Sequence, residues 1–462
     1  MIIKNKKQIA TTKLRKMALE IIEAGIESVL PVNLMQSVVS YNIKQKVLTV
    51  QNKKYNLKNG RIFIIGGGKA AGLMAEEAEK IIGPDNIIAG AVNCKTNDYA
   101  TEKIKIIKGG HPIPNQAGVK GVEKMLALKK EYAICKDDLV ICLISGGASA
   151  LMPSPANGIS LRNIREITKL LLISGAQIQE INTVRKHLSR IKGGQLGKFF
   201  APATVVSLII SDVVGNDLKT IGSGPTVADT STCKHAYKIL KKYGLLKKTP
   251  KNIIAYFKKG YEGNEGEIYK PRLYLSKELN NCYNHIIGDN QLALNAMKDK
   301  ANQLGLKPLI VTAEQTGDSA KAAQIRAQEI ISKKYKACNV ILIGGETTLK
   351  LPVNHGRGGR NQHYAAASML TMKKCVSEWA MANVSTDGSD YLADVAGAII
   401  DNDSFVLAKS RGIDVEKYIK RYDSNSLFKK INRSLIVTGD IGTNVGDVMV
   451  YISLQKQKSS LI

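Results

Sequence analysis

Six times along this chain a short aliphatic run stops at glycine or at a small polar residue. RIFIIGGGKAAG (61–72), KIKIIKGGHP (103–112), DLVICLISGGASA (138–150), TVVSLIISDVVG (204–215), NVILIGGETT (339–348) and SLIVTGDIGT (434–443) share this plan. The Val/Ile/Leu runs are continuous, not alternating, which predicts strands buried on both faces, as in parallel sheets covered by helices. The stretches between them are long enough for crossover helices, AGLMAEEAEKII (71–82) being one. The expected fold class is therefore α/β. In such sheets ligands sit beyond the carboxyl ends of the strands, which is where these glycines fall. Glycine there admits close backbone approach, and its bare N–H groups together with a helix N-terminus attract anions.

A length of 462 residues exceeds what one hydrophobic core usually serves, so two domains are expected. The regular pattern breaks near KKTPKNIIAYFKKGYEGNEGEIYKPRLYLSKELNN, which is polar and punctuated by Gly and Pro. This places one domain at 1–250, a connection at 251–285 and a second domain at 286–462. MALEIIEAGIESVL reads as a first helix, not as a targeting segment, and no run approaches the length of a membrane span. The 7 cysteines form no CxxC pair and several interrupt apolar runs, which fits a reducing compartment. A soluble cytoplasmic protein with no membrane partner is expected.

Lys+Arg 67 against Asp+Glu 39 gives a net charge of +28. That balance suits nucleic acid, an anionic membrane or a phosphorylated small molecule. The lysines are scattered, however, and aromatic residues make up only 5%, too few for a stacking platform. A basic nucleic-acid-binding protein is the weaker reading, and the glycine loops fit small anions better.

Individual loops carry chemistry. Lys69 follows Gly67 and Gly68 at a strand end and supplies a mobile point charge for an anionic substrate or a transferring phosphoryl group. A surface lysine at a tight turn is the plain alternative. GGGKAA also satisfies a loose dinucleotide pattern, but the next strand, NIIAGAVN, ends at Asn93 where that pattern requires an acid. Walker A is absent as well. Ser145, Gly146, Gly147 and Ser149 form a nest suited to phosphate or carboxylate; GxSxG, which a serine nucleophile would call for, is missing. In VRKHLSRIKGG, positions 185, 188 and 192 share a helical face, so Arg185 and Lys192 point together, either into a basic pocket or into solvent. Asp212 ends a strand, where a carboxylate holds Mg²⁺, accepts a hydroxyl proton or caps a helix. Asp387 and Asp390 in STDGSD lie close enough to share a cation, though Asp-Gly also serves turns, and Glu346 is a third candidate acid. The six histidines have no ligand spacing.

Eight ordered blocks resemble the glycerate 2-kinase family: GGGKAAG, GGHPIPN, LISGGASALMPSP, INTVRKHLSRIKGG, LIISDVVGNDLKTIGSGPTVAD, IGGETTLKLPVNHGRGGRNQ, STDGSD and TGDIGTNVGD. The last three resemble its smaller C-terminal domain, called MOFRL. The resemblance implies a Rossmann-like N-terminal domain with a mainly parallel sheet, a smaller α/β C-terminal domain, and an active site in the cleft. It implies transfer of the γ-phosphoryl group of ATP to D-glycerate with Mg²⁺. Lys69, Arg360 and Asp212 are then catalytic. Gly67, Gly68, Ser145, Gly146, Gly147, Ser149, Arg185, Lys192, Ser223, Gly224, Thr226, Arg357 and Asn361 bind substrate or phosphate. Asp212, Glu346, Asp387 and Asp390 are the metal candidates. A homodimer is a further expectation, and members of the family also carry a hydroxypyruvate reductase label. An NAD(P)-dependent reductase is the runner-up. The chain departs from the family pattern at Asn115, Val214, Asn216 and His363, in TDGSDYLAD and in TGDIGTNVGD.

Overall fold

The computed structural model describes residues 1–261 and 279–454, so part of the expected connection lies outside the described residues. The chain forms two compact units, one of Leu34–Ile287 and one of Met1–Asn33 with Gly288–Ile462.

The first unit opens with a three-stranded antiparallel sheet of β1 (Val39–Asn42), β2 (Val47–Val50) and β3 (Lys53–Asn56). A six-stranded sheet follows, built from β4 (Ile62–Gly67), β5 (Ile87–Cys94), β6 (Ile104–Lys108), β7 (Leu139–Ser145), β8 (Thr204–Ile210) and β9 (Cys282–Gly288). Its order is β6-β5-β4-β7-β8-β9, and every pairing from β6 to β8 is parallel. β4 and β7 are buried along their whole length, which explains their unbroken aliphatic sequence. Phe63, Ile65, Val140, Ile144, Val205 and Ile209 sit in one core with Val122 and Met125 of the Gln116–Glu131 helix. The chain builds outward from β4 through β5 to β6, then returns to lay β7 against the other side of β4. That reversal makes the β4/β7 boundary the point where an open parallel sheet presents a crevice.

The second unit holds β10 (Pro308–Gln315), β11 (Val340–Gly345), β12 (Glu378–Ser385), β13 (Gly397–Asp401), β14 (Leu435–Ile436) and β15 (Asp447–Leu454). Their order is β10-β11-β15-β12-β13-β14, parallel between β10 and β11 and antiparallel from β11 onward. The parallel sheet expected from continuous apolar runs is thus found in the first unit, whereas in the second β11 is parallel only to β10 and β14 pairs antiparallel with β13. Burial on both faces dictates such runs, and helices cover this sheet too. Tyr364, Ala365 and Met369 of the Arg360–Met372 helix join Ile341, Ile343, Met381 and Met449 in one cluster.

The domain division also differs from expectation at the start of the chain. The Lys13–Ser28 helix, capped by the Thr12 side chain, packs with the Asn290–Gln303 helix and on β12 and β15. Its buried stripe of Leu14, Ala18, Leu19, Ile22 and Ile26 explains the preference. Arg15, fully buried, lies 3.0 Å from the Asp401 carboxylate and donates to the carbonyls of Ile399 and Arg433 at 2.9 and 2.6 Å. Among the described residues no helix is long and apolar enough to cross a membrane.

Candidate active site

The loops after β4 and β7 close on each other. Lys69 N donates to Gly146 O at 2.8 Å, and Ala70 N donates to Ser145 Oγ at 3.0 Å. Gly68 sits at φ +152°, and a Cβ there would lie 2.1 Å from Ser145 Oγ, so only glycine allows the approach. Gly67 and Gly146 are buried with it, while Lys69 is half-buried. A Cβ on Gly147 would lie 3.2 Å from Lys69 Cγ and 3.0 Å from His111 Nε2, so these three residues pack as a group. His111, in GGHPIPN, was overlooked because a histidine without ligand spacing gives no signal of its own.

Arg185 and Lys192 do converge, but not through one helix. The Ile178–His187 helix ends before Lys192, and Leu188 is fully buried. Instead the chain turns back, and Arg185 Nη2 and Lys192 Nζ each donate to Ser149 O at 3.1 Å. Lys192 is only 5% exposed. Burial, then Arg185, then Lys186, push its ammonium well below the usual lysine range. Burial likewise lowers Arg185, whose Nε has no hydrogen-bond partner. Among the described residues neither cation is paired with a carboxylate; Asp229 instead lies 3.8 Å from Lys186. Both cations line a cavity of about 670 Å³ together with His111, Gly147 and Ser149. A buried lysine beside a half-buried arginine, neither paired with a carboxylate among the described residues, favours an anionic ligand.

Several residues expected to touch ligand are buried and bonded to protein groups. Ser145 and Ser223 are fully buried, and Ser223 Oγ meets Ser149 Oγ at 2.6 Å. Thr226 is 1% exposed, with its hydroxyl 2.8 Å from Ser207 Oγ and donating to Asn284 Oδ1 at 2.6 Å. Gly224, buried at φ +59°, ends the Ile221–Ser223 turn. These groups join the loops to β8 and β9 from behind. Asp212 is partly exposed two residues beyond β8, at the same edge of the sheet. It does not cap the turn that follows, whose N-cap is Val213. Asn216 stands at φ +54°, a backbone conformation that asparagine tolerates better than most residues.

In the second unit the GRGGRNQ loop opens the Arg360–Met372 helix. Arg360 Nε and Nη2 donate to Asp447 at 2.6 and 3.0 Å, and Nη1 donates to Glu346 at 2.6 Å. Burial works against the charge, but Asp447 and then Glu346 more than offset it and raise the guanidinium's pKa. Of five N–H donors, three are engaged, which leaves one each on Nη1 and Nη2. Glu346, expected as a metal ligand, is paired here with arginine. Asp390 is engaged as well. It is 2% exposed and accepts from Asn361 N, Gln362 N and Gln362 Nε2, each at 2.9 Å, so it holds the helix N-terminus. Gly359 makes room for it, since a Cβ would lie 2.3 Å from Asp390 Oδ1. Burial raises the Asp390 carboxyl to about 6. Asn361 is fully buried with its amide on Asp447. Arg357 is exposed, and its backbone N–H bonds Asp423. Asp387 Oδ1 accepts from Ser385 Oγ and Ser389 N at 2.9 Å, as an aspartate at a turn does. His363 is buried and stacks on Tyr422, with ring centroids 4.9 Å apart. Among the described residues no three acidic, His or Cys side chains gather into a metal cage.

The dinucleotide position after β5 is filled by Asn93. It is fully buried, and its Nδ2 donates to the carbonyls of Gly118 and Leu151 at 2.8 Å. A side chain held this way cannot take the ribose hydroxyls that the missing acid would bind.

The chain is similar to several known proteins. Residues 17–258 match a family described as a domain of unknown function, DUF4147, and residues 339–447 match the MOFRL family. Glycerate 2-kinase from Pyrococcus horikoshii is 35% identical over 449 residues, covering 96% of this chain and 98% of its own length. D-glycerate 2-kinase from Thermotoga maritima is 33% identical, covering 95% and 98%. A relative from Agrobacterium vitis, 36% identical over 87% of this chain and 89% of its own, carries a provisional hydroxypyruvate reductase label. The crystal structure of the Thermotoga maritima glycerate kinase superposes with a TM-score of 0.80 at 32% identity, covering 95% of this chain and 99% of that one.

Proposed function

This chain belongs to the glycerate 2-kinase family, and we propose that it transfers the γ-phosphoryl group of ATP to the 2-hydroxyl of D-glycerate, giving 2-phospho-D-glycerate and ADP. The observation that carries this reading is the meeting of the β4 and β7 loops, with Lys69 over Gly147 and with Arg185 and Lys192, neither paired with a carboxylate among the described residues, on Ser149 O. Phosphoryl transfer depends chiefly on positioning and on stabilising charge, and these groups supply both. Lys69 is assigned to the transferring group, where a flexible ammonium follows developing negative charge. Asp212 is assigned to accept the proton of the 2-hydroxyl. Arg360 is assigned a phosphoryl contact through its two remaining N–H groups.

Mg²⁺ would accompany the nucleotide. Among the described residues the acids do not form an all-protein cage; Mg²⁺ bound with a nucleotide is commonly held by phosphates and water with one or two carboxylates. Asp212 is the carboxylate assigned to it, and the ion would neutralise phosphate charge when bound. A cytoplasmic location and the absence of a nucleic-acid partner complete the reading.

Purified protein with D-glycerate, ATP and Mg²⁺ should release ADP and a product whose phosphorus spectrum identifies the 2-phosphate. Absence of that product would remove the reading. The reductase label predicts loss of NADH or NADPH absorbance with hydroxypyruvate. The buried Asn93 leads us to expect none.

A further inference from the structure

The cavity beside Arg185 and Lys192 has more in it than a three-carbon hydroxyacid requires. Its volume of about 670 Å³ lies in the range of sites for much larger ligands. One wall is apolar, and three of its residues stay uncovered: Ile113 is 65% exposed, Leu172 61% and Ile178 52%. D-Glycerate has no apolar surface to lay there. Exposed apolar area beside a polar floor marks a binding surface for something amphipathic. The charge is equally one-sided. Arg165, Lys169, Arg185 and Lys192 line the cavity, and among the described residues no carboxylate does. One carboxylate of a hydroxyacid would leave most of that charge unbalanced, whereas a polyphosphate would not.

We propose that this cavity is the nucleotide subsite, with the purine against Ile113, Leu172 and Ile178 and the phosphate chain on Arg185 and Lys192. Ser154 and Thr168, also in the lining, offer hydroxyls to the polar edge of a base. The acceptor then lies on the side of Lys69 and Asp212. The assignment rests on the kinase reading, because only that reaction brings a nucleoside polyphosphate to the protein.

Binding without turnover separates the parts of the ligand. Calorimetric titrations with ADP, adenosine and inorganic tripolyphosphate are compared for wild type, Leu172→Asn, Ile178→Asn and Lys192→Met. The two wall positions are exposed, so the fold tolerates them. Each wall variant should weaken ADP and adenosine by about tenfold, the loss expected for one apolar side chain's contact. Neither should alter tripolyphosphate binding or the KM for D-glycerate. Lys192→Met should weaken ADP and tripolyphosphate and leave adenosine unchanged. Photolabelling of wild type with 2-azido-ADP, which needs no variant to fold, should mark the peptide 161–178. Unaltered ADP affinity in both wall variants, a raised KM for D-glycerate instead, or labelling elsewhere overturns the assignment. Wild-type formation of 2-phosphoglycerate is measured first. If it fails, the kinase reading fails; if it succeeds while the wall variants bind ADP normally, only the subsite is lost.

Discussion

Asp447 lies fully buried against Arg360 and accepts two of its N–H groups, at 2.6 Å from Nε and 3.0 Å from Nη2. The same carboxylate accepts the Asn361 amide at 3.0 Å. An arginine at the start of a helix is therefore fixed in direction by a residue 87 positions later. Its two remaining N–H groups are aimed by that contact.

Arg360→Ala should consequently do two things. Turnover should fall by roughly 10²-fold, the scale for one lost transition-state donor. Stability should fall by about 3 kcal/mol, because Asp447 is left as an unpaired buried charge. Arg360→Ala with Asp447→Asn should recover stability in denaturant unfolding without recovering kcat. Equal recovery of both would mean that the arginine is structural alone.

Lys69→Ala should separate those effects in the other direction. Its side chain is half-buried and its backbone contact to Gly146 persists in alanine. We expect kcat to drop about 10²-fold with unfolding curves unchanged within roughly 0.5 kcal/mol. A large stability loss with normal kcat would return Lys69 to a packing role.

Asp390 gives a pH prediction. Its folded carboxyl is raised to about 6 from 3.8, so between these values the folded state holds the proton more tightly. The stabilisation linked to it is fully present below about pH 4 and is lost as pH rises through 6. Two units correspond to about 3 kcal/mol. The stability of wild type relative to Asp390→Asn should therefore decline by up to that amount between pH 4 and pH 7. A flat difference would contradict the buried-carboxyl account.

Lys192 makes anion binding proton-linked. Burial and its cationic neighbours depress the ammonium, and a bound phosphate would restore it. Tripolyphosphate should bind more tightly as pH falls, with net proton uptake seen by calorimetry in buffers of different ionisation enthalpy. Lys192→Met should abolish the uptake.

The N-terminal helix should be indispensable to the second unit. Residues 288–454 expressed alone should remain unfolded, because the surfaces covered by Leu19, Ile22 and Ile26 would be open to water. Adding residues 1–33 in trans should restore cooperative unfolding. Arg15→Ala in the full chain should cost about 3 kcal/mol, since Asp401 would keep a buried charge.

The sequence by itself determined the strands β4 to β8 and β11 and where their glycine loops fall, because burial on both faces leaves an aliphatic run that local reading detects. It also pointed to Lys69, Arg185 and Lys192 through residue type and position after those runs, and its ordered blocks named the family. Strand order was decided only in three dimensions. The β4/β7 reversal that makes a crevice, and the antiparallel pairing of β11 with β15, depend on long-range hydrogen bonds that leave no periodicity. The same holds for Asp390 beneath a helix N-terminus, Asp447 against Arg360 and Arg15 against Asp401. A carboxylate in a loop reads alike whether it meets a metal, a helix end or an arginine, and only the fold brings its partner to it.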